Sequence, residues 1–145
     1  DTGIMLGLKG FVAATLGGMA FSNSSVALVQ GMSRPIGALF HVPHGLSNAV
    51  LLPTVTRFSI GDAPERYADV AKAAGCAPEQ FVDWLEQLNV RLKLPRLGQC
   101  RGVVRDKFDA NLEKMASDAL ASGSPANNPR VPTAAEIVEI YRQAW

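Results

Sequence analysis

The sequence predicts an all-α fold, a bundle-like domain of six or seven helices, and three observations carry that expectation. Apolar residues recur at three- and four-residue spacing along most of the chain. No stretch sustains the two-residue alternation of a half-buried strand. Prolines, glycines and short polar runs fall between the apolar stretches, where helix ends belong. No segment repeats another. The 145 residues make one domain, large enough to bury roughly 70% of its unfolded surface.

Taken in order, Met5, Leu6, Leu8, Phe11, Val12, Leu16 and Met19 predict an apolar helix ending near Ala20, with Ser22-Asn23-Ser24-Ser25 as a polar break. Val26 to Phe40 reads as a second, buried helix, bent or broken at Pro35 and Gly37. Pro43 suits the first turn of a third helix carrying Leu46, Val50 and Leu51, which Pro53 interrupts. The next helix starts at Asp62-Ala63-Pro64-Glu65, where Asp62 is positioned to cap and Glu65 to reach back, and Gly75 closes it. Pro78 to about Leu92 places Phe81, Trp84, Leu85 and Leu88 on one face. Val103 to Leu120 is amphipathic through Val104, Phe108, Leu112 and Met115. Ser122 to Pro132 is a loop rich in Gly, Pro, Asn and Ser. Thr133-Ala134-Ala135-Glu136 is a capping box that opens a final helix with Ile137, Ile140 and Tyr141 on its apolar face.

Composition narrows the function. A net charge of +1 without a basic run argues against a nucleic-acid partner. No apolar segment reaches the roughly 18 to 20 residues of a membrane span; Leu6 to Phe21 comes closest, interrupted by Lys9 and several glycines. Cys76 and Cys100 lie 24 residues apart without a CxxC spacing, which favours reduced structural thiols and a cytoplasmic protein. The 48% hydrophobic content and mean hydropathy of +0.10 fit either an ordinary core or a face meant for another domain or subunit. Glycines and alanines near the start anticipate close helix contacts. Asp69, Asp83, Glu86 and Glu113 read as solvated charges, and Trp84 and Trp145 as packing residues.

Both histidines, His41 and His44, lie in one segment beside prolines, glycines and Asn48. With Pro43 at the first helical position, His44 falls in the first turn, where the helix dipole disfavours a protonated ring. A neutral ring is free to bind a metal. Asn48 lies one turn on, on the same face, as a donor to a ligand or a backbone anchor. A core or capping histidine is the plainer reading of His44, since divalent metals usually take three or four protein ligands. His41 precedes the proline and reads as a partly exposed loop residue.

The run Gln30-Gly31-Met32-Ser33-Arg34-Pro35-Ile36-Gly37-Ala38, then Pro43-His44-Gly45-Leu46-Ser47-Asn48-Ala49 and Pro53, is similar to the metal-site signature of iron-containing (group III) alcohol dehydrogenases. Gly17-Gly18-Met19-Ala20-Phe21-Ser22-Asn23 resembles the family's preceding run, and Asn128-Pro129-Arg130-Val131-Pro132 with the capping box its C-terminus. The resemblance covers nearly the whole chain. It implies that residues 1–145 are the single α-helical, metal-binding C-terminal domain of the dehydroquinate-synthase-like plan. The N-terminal Rossmann-like NAD(P) domain, with its Gly-Gly-Gly-Ser loop, would then lie upstream of Asp1. So would the Asp-x-x-x-His pair that supplies two ligands.

By the resemblance, Fe²⁺ or Zn²⁺ polarises the oxygen of a small alcohol while a hydride leaves to NAD(P), or the reverse for an aldehyde or ketone. His44 matches one late histidine ligand. Gln30 stands where the other belongs and is a far weaker ligand. Arg34 stands at the family's third, non-ligand histidine and is suited to a carboxylate or phosphate. His41 and Asn48 are expected to line the pocket. The isolated chain is therefore expected to be inactive. Two rivals stand beside this: a non-catalytic truncated helical domain that self-associates as a homo-oligomer, and part of a maleylacetate-reductase-like enzyme.

Overall fold

The computed structural model describes residues 2–145, with side chains from Gly7 onward; Asp1 and the side chains of Met5 and Leu6 lie outside the described residues. Seven helices follow one another among the described residues, and no strand is present there. They are α1 (Thr2–Ser24), α2 (Leu28–Phe40), α3 (His44–Ser59), α4 (Pro64–Ala74), α5 (Phe81–Arg91), α6 (Arg105–Ala121) and α7 (Ala134–Ala144).

The core is built by α2, α3, α6 and α7. Leu28, Met32 and Ile36 of α2 are fully buried against Leu51, Met115, Ile137 and Tyr141. Phe108 lies among aromatic neighbours from three directions: Phe40, Tyr141 and Trp145. The Tyr141 hydroxyl donates to the Met32 carbonyl at 2.6 Å, fastening α7 to α2 and satisfying a phenol that would otherwise be buried without a partner. Burial, with Asp118 adding to it, pushes that phenol far above the ordinary tyrosine range. A second small cluster under α4 and α5 gathers Ala71, Phe81 and Leu85, with Tyr67 and Trp84 packed on it.

Neither proline expected to bend, break or interrupt a helix ends one. α2 runs through Pro35 and Gly37, and α3 runs through Pro53. Proline removes one backbone donor, so Pro53 leaves the Ala49 carbonyl without its helical partner. Asn89 of α5 supplies the missing donor at 2.8 Å. Gly31 lies four residues before Pro35, where the proline ring presses on the preceding turn. Its own lack of a side chain also lets the turn at residues 124–127 approach. A Cβ there would sit 3.1 Å from Pro125 Cδ.

Other expectations shift by a few residues. α1 extends to Ser24 instead of ending near Ala20, because Ser22 and Asn23 bond back to the carbonyls of Gly18 and Met19 and continue the helix. Ala63, not Asp62, occupies the cap of α4, and Asp62 closes a short 3-10 turn instead. Gly75 ends α4 in the left-handed conformation, as its position indicated. Pro78–Gln80 forms a 3-10 turn ahead of α5, and Ser124–Asn127 another inside the expected loop. The Thr133–Glu136 capping box is complete.

α1 stands apart from this body. From Gly7 to Ser24 every residue is exposed, and a Cβ on Gly7, Gly10, Gly17 or Gly18 would meet nothing within 4 Å. The close contacts anticipated for these glycines are therefore not made among the described residues. α1 and α2 meet at 103°, and no single helix among the described residues is long and apolar enough to cross a membrane. Cys76 is half-buried and Cys100 buried, both as free thiols.

Candidate functional site

The histidine segment folds into the junction between α2 and α3. His41 closes α2 with a left-handed backbone (φ 56°), its N–H donating to the Gly37 carbonyl at 3.0 Å. This conformation lets the chain reverse within three residues. Pro43 takes the N-cap of α3 with extended backbone, so His44, not Pro43, is the first helical residue. Ser47, fully buried, donates to the His44 carbonyl at 2.9 Å and ties down the first turn.

The His44 ring is held at both nitrogens. Nδ1 lies 3.3 Å from the hydroxyl of Ser33, a fully buried residue of α2. Nε2 lies 3.1 Å from the Asn48 side-chain amide, one helical turn on. Ser33 Oγ also donates to the Gln30 carbonyl at 3.0 Å. The ring is therefore fixed between α2 and its own helix, although His44 as a residue is exposed. The spacing of His44 and Asn48 anticipated their shared face. The role of Ser33 was missed, and its only sequence signal was its place one turn after Gln30.

The other candidates are arranged less tightly. Gln30 is half-buried in the first turn of α2, and Arg34, four residues on, is exposed. The guanidinium of Arg34 pairs with no carboxylate among the described residues. His41 is exposed beside the reversal. Asp83 and Glu113 are exposed, and Glu86 meets Arg57 at 2.6 Å in an ion pair that is half solvated on both sides. Trp84 stacks on Phe81, and Trp145 packs 4.6 Å from Phe108 between ring centroids.

The donor set can be weighed against a metal. The Oδ1 of Asn48 is a buried acceptor without a hydrogen-bond partner, so this corner of the site has unmet demand for a donor or cation. His44 fits as one ligand, through the nitrogen that Asn48 covers. Gln30 offers only an amide, and no three His, Cys, Asp or Glu residues come together among the described residues. The described residues thus hold one good ligand of a centre and not a whole centre.

Comparison with known proteins gives this geometry a context. The profile described as "Fe-containing alcohol dehydrogenase family, C-terminal" matches residues 8–145. The chain is 37% identical to the 1-propanol dehydrogenase of Salmonella typhimurium over 142 residues, covering 90% of this chain and 38% of that protein. It is 35% identical to the lactaldehyde reductase of Escherichia coli (strain K12), across 100% of this chain and 38% of the relative. Among solved structures, the iron-containing alcohol dehydrogenase of Thermococcus thioreducens superposes with a TM-score of 0.82 at 34% identity, over 92% of this chain and 35% of that one. The chain therefore spans less than two fifths of the length of these relatives.

Proposed function

The chain belongs to the iron-containing alcohol dehydrogenase family, and from that premise we propose that it is the helical C-terminal portion of an NAD(P)-dependent oxidoreductase interconverting a small alcohol and its aldehyde or ketone. The observation that carries this reading is the His44 ring, held at both nitrogens at the head of α3 inside the family's matched region. Its partner would be a preceding cofactor domain in a longer polypeptide. Cys76 and Cys100, half-buried and buried as free thiols, suit the reducing cytoplasm in which we place the protein.

When bound, Fe²⁺ or Zn²⁺ supplies a Lewis acid for the alcohol oxygen, and a nicotinamide takes the hydride. The part of this chain is positional. His44 offers one imidazole nitrogen, Asn48 screens it, and Ser47 anchors the turn that carries it. Gln30 and Arg34 lie on the same helix as Ser33, Gln30 one turn before it and Arg34 next to it, where Arg34 is suited to an anionic group of substrate or cofactor. Since the described residues hold one good ligand, the 145-residue chain alone is expected to give no NAD(P)H-dependent turnover. The polypeptide extended through its upstream coding sequence, loaded with Fe²⁺ or Zn²⁺, is expected to turn over. The assay is NAD(P)H oxidation with a short-chain aldehyde series. Turnover by the short chain, or none by the metal-loaded longer one, would refute this reading.

A second reading rests on α1. Leu8, Phe11, Val12, Leu16, Met19 and Phe21 are between 46% and 70% exposed, and all but Phe21 recur at the three- and four-residue spacing of one helix face. An apolar stripe of this length on an exposed helix belongs against a partner. In the 145-residue chain, a second copy is the available cover, so homo-oligomers are expected in light scattering. Phe11→Asp with Leu16→Asp should shift them to monomer. A strict monomer that binds no hydrophobic dye would rule this out.

A further inference from the structure

We infer that Ser33 is a positioning residue that fixes the neutral His44 ring as the Nδ1–H tautomer, leaving the lone pair on Nε2. This builds on the role given to His44 above, and it names a residue of α2 that works through that ring.

A serine hydroxyl carries one hydrogen and two lone pairs. Ser33 Oγ has two neighbours, the Gln30 carbonyl at 3.0 Å and His44 Nδ1 at 3.3 Å. The carbonyl has no hydrogen to give, so the hydroxyl hydrogen goes to it. The contact with the ring can then be a hydrogen bond only if Nδ1 carries the proton and donates to Ser33. Ser33 is fully buried, so water does not stand in for either partner.

The other side of the ring is compatible with the same tautomer, with Ser33 deciding between the two orientations of the Asn48 amide. The Asn48 amide nitrogen is a donor only, and it lies 3.1 Å from Nε2. That contact requires a lone pair on Nε2. Turning the Asn48 amide over would place its carbonyl on Nε2 and demand a proton there. Nδ1 would then need the Ser33 hydrogen, and the Gln30 carbonyl would lose it. The turned amide would also leave two N–H groups where one acceptor now lies unpaired. The arrangement in the structure leaves the least unsatisfied.

The consequence is functional. A ligating histidine works through an unprotonated nitrogen, and the hydrogen bond made by its other nitrogen decides which one that is. Here a buried hydroxyl does this from a neighbouring helix. Nε2 is kept ready, under an amide that a ligand can displace.

The test is nuclear magnetic resonance on the full 145-residue chain labelled with ¹⁵N-histidine, at about pH 9, where an ordinary histidine is neutral. Long-range ¹H–¹⁵N correlations distinguish the protonated nitrogen from the bare one, and His41→Gln assigns the two rings. His44 is expected to show a protonated Nδ1 and a bare Nε2. Ser33→Ala is expected to move both shifts toward the Nε2–H form, with circular dichroism unchanged. A bare Nδ1 in the native chain would overturn the inference without any variant, and so would an unchanged tautomer in a folded Ser33→Ala chain. Neither readout needs metal, cofactor or turnover, so a dehydrogenase assay that failed would leave this result standing.

Discussion

Replacing Phe108 with alanine is expected to destabilise the fold by about 3–5 kcal/mol. Phe108 is 1% exposed at the point where α2, α6 and α7 meet. Its ring stands edge-on to Tyr141 (88° between planes, 6.4 Å between centroids), 6.4 Å from Phe40 and 4.6 Å from Trp145. Three rigid aromatic neighbours cannot collapse into the space a lost ring leaves, which places the cost toward the upper end of the range. Tyr141 is further held by its bond to the Met32 carbonyl, so it cannot swing inward without losing that partner. Val90→Ala is the control: Val90 is 75% exposed, and its loss should cost within about 0.5 kcal/mol. Urea unfolding followed by circular dichroism reads both. A loss below 1 kcal/mol for Phe108→Ala would mean that the three helices are held together elsewhere.

The same residues show how far the sequence could be read. Phe108 announced itself by helical spacing with Leu112 and Met115, and spacing is local information. The Gly75 terminus and the Thr133–Glu136 box were legible for the same reason, since each is complete within a few residues. Prolines were misleading because their compensation is remote. Nothing near Pro53 reveals that Asn89, 40 residues beyond Ala49, will satisfy the carbonyl that the proline strands. A helix-breaking rule applied locally therefore gives the wrong answer where a neighbouring helix repairs the defect.

The candidate site divides along the same line. His44 and Asn48 are four residues apart on one helix, so their meeting was readable. Ser33 and His44 are 11 apart and meet only because α2 and α3 pack around the reversal at His41. The family signature pointed to the segment and to the replaced positions, Gln30 and Arg34. It did not indicate that the intervening serine touches both the Gln30 backbone and the His44 ring. The exposed apolar surface of α1 was not legible either, because a run of apolar residues looks the same whether its cover lies inside the chain or outside it.

Gln30→His and His44→Ala are expected to move metal binding in opposite directions, and together they test whether the two positions face one ion. An amide oxygen is a poor ligand for iron or zinc, while a neutral imidazole is a good one. Ser33 lies 3.0 Å from the Gln30 carbonyl and 3.3 Å from the His44 ring, so the first turn of α2 and the first turn of α3 converge here. In the 145-residue chain, Gln30→His should tighten Zn²⁺ or Co²⁺ binding by about tenfold or more in calorimetry, since each factor of ten is about 1.4 kcal/mol. Adding His44→Ala to that variant should abolish the gain. In the longer metal-loaded polypeptide, His44→Ala alone should lower kcat/KM a hundredfold or more, about 2.7 kcal/mol of transition-state stabilisation. Equal binding by native and Gln30→His chains would place residues 30 and 44 at different sites. Undiminished activity without His44 would remove the one ligand the described residues hold, and the metal role of this domain with it.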